Sequence, residues 1–284
     1  MASNHPKAPL GGEFARELEV AEEVALEAAR VVRAFHGTDL AIDSKAGNEP
    51  VTEADRTANT LIVDRLAAAF PDDAVLSEEI PDDGSRLGRP RVWMVDPIDG
   101  TSDFIAGDTG FVVMIGLVVG GRPLVGAVAH PLSGCVYSGV VGHGAWRRDA
   151  DGTRSPLHTS TLARPPGIRL VASKTHRTPR VDAIKRALGI VDEMNVGSVG
   201  LKIGLVSEAA RDLYVYTGGR TKVWDSCGPE AILHAAGGRM TDLDGRPLVY
   251  DAPELYNRRG LVASNGPLHD FVIATLAPHV PRTD

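Results

Sequence analysis

Cysteine is almost missing from this chain: its 284 residues hold two, Cys135 and Cys227, far apart and in no metal-ligand spacing. That excludes a disulfide framework and leaves reduced thiols as the simpler expectation. Positive charge is also short, with 30 Lys and Arg against 37 Asp and Glu and a net charge of -7. A general nucleic-acid binder needs Lys and Arg to displace counterions from phosphates, so a nucleic-acid polymer is not an expected partner. No apolar run is long enough to cross a bilayer, and residues 1–12 are polar and Pro/Gly-containing, without a signal-peptide core. These absences leave a cytoplasmic enzyme or binding protein with no membrane partner as the expectation. An acidic protein still binds small anions where metals or a local basic cluster reverse the field.

What is present is ordinary for a globular protein, 43% apolar and 24% charged residues, enough for one large domain or two smaller ones. Residues 13–35 place Phe14, Leu18, Ala21, Ala25, Ala28, Val32 and Phe35 at helical intervals, which predicts an amphipathic helix. A second helix starts at Thr52, whose side chain can cap the amide three residues on while Asp55 reaches back, and Pro71-Asp72-Asp73 stops it. Short apolar runs at 74–76, 91–95, 111–119, 124–129 and 135–141 follow, the last three separated by turn residues as in an antiparallel meander. The polar stretch 142–166 suggests a boundary near Asp151, dividing the chain into 1–150 and 151–284. Beyond it strands at 168–172, 213–216 and 261–264 alternate with helices at 181–188, 198–210, 229–236 and 269–276. An α/β second half behind an α+β first half is the expected class.

Acidic residues recur where strands end or helices begin. Ser77-Glu78-Glu79 follows one apolar run, Asp96 and Asp99 follow another, and Asp225 lies between Val223-Trp224 and an expected helix start at Gly228-Pro229. Magnesium takes near-octahedral oxygen coordination from a few carboxylates, substrate phosphate oxygens and water. Acids at the ends of adjacent strands would hold two such ions, placing a water on one side of a phosphorus atom and charge on the leaving oxygen at the other. In DPIDGT, residues 96–101, Pro97 stiffens the turn, Ile98 can turn its carbonyl inward, and Gly100 and Thr101 can offer amides to a phosphate. Thr101 adds a hydroxyl able to orient a nucleophilic water, with Asp55 as its base partner. Taken singly, each acid is equally a turn or cap residue.

The DPIDGT stretch is similar to the DP(I/L)DGT motif of the lithium-sensitive, magnesium-dependent phosphatases typified by inositol monophosphatase, and Trp224-Asp225 resembles their second, WD, motif. The resemblance runs from the first helix to the last and implies a layered α-β-α-β-α sandwich with the site between its halves. It implies that Glu78, Asp96, the Ile98 carbonyl, Asp99 and Asp225 hold two or three Mg(2+) ions, that Glu78 and Thr101 activate water, and that Li(+) inhibits. A homodimer is compatible with it. The stretches 173–176, 195–202 and 222–234 look closest to the branch that removes the 3'-phosphate of 3'-phosphoadenosine 5'-phosphate, where Lys202 and His176 would contact the nucleotide. Asp99, Gly100, Thr101, Ser102, Gly197, Ser198 and Asp225 complete the implied substrate-binding set.

A second phosphate adds charge that a cation such as Lys202 would meet, and no acid stands between Leu213 and Trp224 to hold an inositol hydroxyl. An Arg used by some relatives is replaced near Tyr216, with Arg220 and Lys222 nearby. Inositol 1-phosphate or another sugar phosphate is the alternative substrate. A non-catalytic anion- or metal-binding protein and a metal-independent acid phosphatase are the readings from other classes. The acids and Thr101 speak against the first, and the lack of a His nucleophile motif against the second. Trp93 and Trp224 read as core anchors and Cys227 as a small buried residue.

Overall fold

A computed structural model describes residues 12–38, 42–44, 50–174 and 178–279. The first helix, α1 (Ala15–Phe35), buries the predicted stripe at Leu18, Ala21, Ala25, Ala28 and Val32. A short ribbon of β1 (Ile42–Ser44) and β2 (Pro50–Thr52) leads into α2 (Glu53–Ala69). The predicted cap forms: Asp55 Oδ2 accepts the Thr52 amide at 2.7 Å and the Thr52 hydroxyl at 2.6 Å.

Seven strands make the first sheet, β3 (Ala74–Ser77), β4 (Arg91–Asp99), β5 (Val112–Val119), β6 (Arg122–Ala129), β7 (Val136–Val140), β8 (Gly144–Arg148) and β9 (Arg154–Pro156), side by side in that order. Strand β3 runs parallel to β4, and every later neighbour is antiparallel, which is the expected meander. A single turn of helix, α3 (Thr101–Ile105), follows β4. The second sheet holds β10 (Arg169–Ser173), β11 (Asp192–Val196), β12 (Leu213–Tyr216), β13 (Arg239–Thr241) and β14 (Leu261–Ser264) in the order β11-β10-β12-β14-β13. Its helices are α4 (Pro179–Ala187), α5 (Val199–Ser207), α6 (Val223–Ala235) and α7 (His269–Leu276).

Three apolar interfaces stack these elements into layers. One face of the first sheet packs on α1 and α2 through Leu18, Ile62, Trp93 and Ile115. Its other face, with Leu76, Met94 and Val118, meets α5 and α6 and one face of the second sheet, with Val171, Tyr214 and Ala263. The far face of the second sheet, with Leu170 and Val262, packs on Ile184 of α4 and on Val272 and Leu276 of α7. The result is an α-β-α-β-α sandwich, a mixed α/β fold. Strand β9 carries the first sheet to Pro156, past the expected division at Asp151. Each half has a core of its own on its outer side, and α5 and α6 are buried between the two sheets.

Glycine sets the spacing of the middle layer. A Cβ on Gly126 would lie 2.1 Å from the Gly228 carbonyl oxygen, and one on Gly116 2.5 Å from the Gly228 amide nitrogen. Backbone of α6 therefore rests almost on β5 and β6, an approach that any side chain at these positions forbids.

Candidate active site

Five elements deliver side chains to one place. Glu78 directly follows β3, and its amide donates to the Val95 carbonyl at 3.1 Å, which ties the residue to β4. Strand β4 runs to Asp99, with an irregular register between Asp96 and Asp99 where Pro97 supplies no amide. The Asp96 carboxylate closes this bend by accepting the Ile98 amide at 3.0 Å. Gly100 turns the chain with φ 98, and a Cβ there would stand 2.6 Å from the Gly110 carbonyl oxygen. Thr101 opens α3, its hydroxyl 3.0 Å from the Ile98 carbonyl and 3.4 Å from Asp55 Oδ1.

The second half adds α6. Its first helical residue is Val223, not the expected Gly228-Pro229; Pro229 sits inside the helix, and Asp225 lies in the first turn, where its carboxylate accepts the Lys222 amide at 2.8 Å. A negative side chain suits a helix N-terminus, so the local rule that makes Asp225 a cap also aims it at β4. Asp99 does the reverse from the first half: its Oδ2 accepts the amides of Val199 and Gly200 at 2.5 and 3.0 Å, capping α5. Asp225 thus caps the helix that carries it, while Asp99 reaches across from the first half to cap α5.

Glu78, Asp96, Ile98, Asp99, Gly100, Thr101 and Asp225 line one cavity of about 140 Å³, together with Arg220 and Lys222. Burial pushes the Asp225 carboxyl well above the usual carboxylate range, and the neighbouring charges of Asp99 and Glu78 push the same way. Burial also raises Asp99, opposed mainly by the Lys202 ammonium. Crowded, desolvated acids of this kind need a countercharge, and the set of carboxylates plus a main-chain carbonyl is the oxygen chemistry that magnesium takes. Among the described residues no three His, Cys, Asp or Glu side chains form a ready cage for an ion. Magnesium does not require one, since it commonly takes one or two carboxylates and fills its sphere with water and phosphate oxygens. The residues present fit that ion.

Other expected site residues fall elsewhere. Lys202 is 3% exposed and does not line the cavity. Its ammonium donates to the Gly197 carbonyl at 2.7 Å and lies 5.2 Å from the centre of the Tyr214 ring, where it supports the turn before α5. Burial lowers its pKa to about 8 against the pull of Asp99, Asp103 and Asp225. Ser198 caps α5 by accepting the Leu201 amide at 2.9 Å, with an unusual φ of 34. Gly197 packs against Gly110, where a Cβ would lie 2.3 Å from the Gly110 carbonyl oxygen. Ser102 is exposed on α3, outside the cavity lining. His176 lies outside the described residues.

Tyr256 and Asn257, outside every sequence motif named above, hold Lys222 in place. Backbone of Tyr256 bridges to Lys222, and the Asn257 side-chain amide donates to the Lys222 carbonyl at 3.0 Å and to the Ser226 hydroxyl at 3.2 Å. No local pattern marks these residues, because their partners lie more than 30 positions away.

The sequence model of the inositol monophosphatase family matches residues 15–280. The chain is 36% identical over 236 residues to the 3'(2'),5'-bisphosphate nucleotidase CysQ of Escherichia coli strain K12, covering 82% of this chain and 93% of that protein. It is 34% identical over 246 residues to a histidinol-phosphatase of Mycobacterium tuberculosis strain H37Rv, covering 85% and 90% of the two. Among solved structures, CysQ from Bacteroides thetaiotaomicron superposes with a TM-score of 0.75 at 28% identity, over 88% of this chain and 97% of that one.

Proposed function

The chain belongs to the inositol monophosphatase family and is a phosphatase of that family; from that premise we propose that it hydrolyses the 3'-phosphate of 3'-phosphoadenosine 5'-phosphate, and of its 5'-phosphosulfate, with magnesium. One observation carries the chemistry: Glu78, Asp96, Asp99, Asp225, the Ile98 carbonyl and Thr101 meet in a single small cavity. The substrate class is favoured by Arg220 and Lys222 in the same lining, two cations for a doubly phosphorylated ester, and by the nucleotidase names of relatives such as the Escherichia coli protein.

Glu78, Asp96, Asp99, Asp225 and the Ile98 carbonyl would hold two or three magnesium ions, which supply charge to the phosphoryl oxygens and acidify a bound water. The protein's own groups do the rest. The Thr101 hydroxyl, held between the Ile98 carbonyl and Asp55, positions the attacking water, and Asp55 keeps that hydroxyl oriented. Glu78 takes the proton the water sheds. Gly100 and Thr101 present main-chain amides to the phosphoryl group, and Asp225 walls the opposite side from α6.

The test is phosphate release by the purified chain from adenosine 3',5'-bisphosphate, its 5'-phosphosulfate form, inositol 1-phosphate and histidinol phosphate, with magnesium, with EDTA and with added lithium. Highest kcat/KM on the bisphosphates, loss in EDTA, lithium inhibition and loss of activity in Asp96→Asn are expected. Preference for histidinol phosphate or inositol 1-phosphate overturns the substrate assignment. Full activity in EDTA overturns the metal assignment.

A further inference from the structure

Glu230, Tyr250, Ser226 and Asn257 are buried polar residues to which the reaction above gives no step. Side chains of this kind cost stability unless their hydrogen bonds are made, and here they are made to one another. The Tyr250 hydroxyl stands 2.5 Å from Glu230 Oε2 and 3.2 Å from Ser226 Oγ. The Asn257 side-chain amide donates to Ser226 Oγ at 3.2 Å and to the Lys222 carbonyl at 3.0 Å. Asn257 is itself fixed, because its main-chain amide donates to the Thr221 carbonyl at 2.7 Å. The contacts run from the middle of α6, at Glu230, back to the residue that precedes the helix, Lys222.

The Lys222 peptide is also what holds Asp225. Its amide donates to Asp225 Oδ2 at 2.8 Å, and its carbonyl accepts the Asp225 amide at 3.2 Å. A carbonyl oxygen has two lone pairs; Asp225 takes one and Asn257 the other. Ser226, directly after Asp225, is gripped by the same Asn257 amide and by Tyr250. Asp225 thus lies in a turn clasped from outside the helix, by two residues that line no part of the cavity. We propose that Asn257 is a positioning residue for Asp225: its side-chain amide closes the first turn of α6 over the Lys222 carbonyl and the Ser226 hydroxyl, with Tyr250 and Glu230 as its backing. Apolar side chains of the same shape would fill this space at little or no loss of stability, but they fix no direction, whereas a satisfied hydrogen-bonded network does. Groups that orient a metal ligand from behind commonly matter about 10- to 100-fold in metal affinity or activity. The effect on magnesium rests on the function proposed above; the hold on the turn does not.

The test uses Asn257→Ala, Tyr250→Phe, the double variant and, as a control, Leu233→Ala, a buried apolar residue of the same helix. All are made in the full chain, with near-ultraviolet circular dichroism to establish a native fold. Amide hydrogen–deuterium exchange without metal reads the turn, and calorimetric titration with magnesium alone reads the ion. Exchange in peptides spanning 221–226 should rise about tenfold in Asn257→Ala and less in Tyr250→Phe, and magnesium should bind about 10-fold and about 3-fold more weakly in the two. The double variant should match Asn257→Ala to within about twofold, since Tyr250 acts through the same Ser226 hydroxyl. Leu233→Ala should melt lower than either single variant and bind magnesium as the wild type does. Unchanged exchange in a folded Asn257→Ala overturns the positioning role, whatever the wild type binds; if that variant does not fold, unchanged exchange in Tyr250→Phe does so. Magnesium binding weakened as much in Leu233→Ala reduces the effect to general loosening and overturns the role as well. Effects that multiply in the double variant overturn the backing assigned to Tyr250 and Glu230. A wild type that binds no magnesium, with raised exchange in the variants, supports the hold on the turn and sinks the metal reading alone.

Discussion

Replacing Gly126 by alanine perturbs the site from a position that touches none of its side chains. The new Cβ would lie 2.1 Å from the Gly228 carbonyl oxygen, where real Cβ contacts essentially never fall below 3.0 Å. Backbone of α6 must then retreat by roughly 1 Å, because a carbonyl cannot rotate out of the way as a flexible side chain does. Asp225 stands three residues before Gly228 on that helix and is carried with it. Overpacking of this kind costs about 1–3 kcal/mol of stability, and a displacement of about 1 Å at a reacting group lowers rate by up to about 100-fold. Gly126→Ala should therefore melt several degrees lower and lose about 10- to 100-fold in kcat, with weaker magnesium binding in calorimetry. A folded Gly126→Ala with wild-type kcat and magnesium affinity would refute the claim that the glycine contact sets the position of Asp225.

Other outcomes follow from the same geometry. Thr101→Ala should lower kcat about 100-fold or more with little change in KM, since the hydroxyl orients water and does not hold the substrate; steady-state kinetics on the best substrate check it. Lys202→Ala should lower kcat for a bisphosphate nucleotide and a simple monophosphate alike, because its ammonium supports the Gly197 carbonyl. A KM rise confined to the bisphosphate would put that ammonium on the substrate. His269 is buried between the hydroxyls of Thr241 and Ser264, and burial lowers its pKa from 6.5 to about 4. The folded state then binds fewer protons than the unfolded one, so the stabilisation is complete above pH 6.5 and lost as pH falls from 6.5 towards 4. Urea unfolding across that range should show a shallower loss in His269→Asn than in the wild type.

Where neighbours in sequence are also neighbours in space, the amino-acid order was enough. Helical periodicity placed α1, the Thr52–Asp55 cap formed as its residue types require, and the two acids around Pro97 stand at a strand end because proline and glycine permit little else there. Identity of the cavity's acids was equally readable, since each sits at an element's end and their types are those that hard cations need. Assembly was not. Asp225 reads as a residue of the turn before Gly228-Pro229, yet α6 begins at Val223 and accommodates the proline inside it, because packing between two sheets outweighs a local helix-breaking preference. Lys202 reads as a cation for a substrate phosphate, and that it is buried among the negative charges of Asp99, Asp103 and Asp225 is invisible in sequence, because those acids are remote from it along the chain. Convergence of the acids depends on backbone-to-backbone contact of Gly126 and Gly116 with Gly228, about a hundred residues apart. Local sequence chose the ligating and capping side chains through bonded geometry and propensity; only tertiary structure fixed their distances, through contacts whose partners no short window of the chain contains.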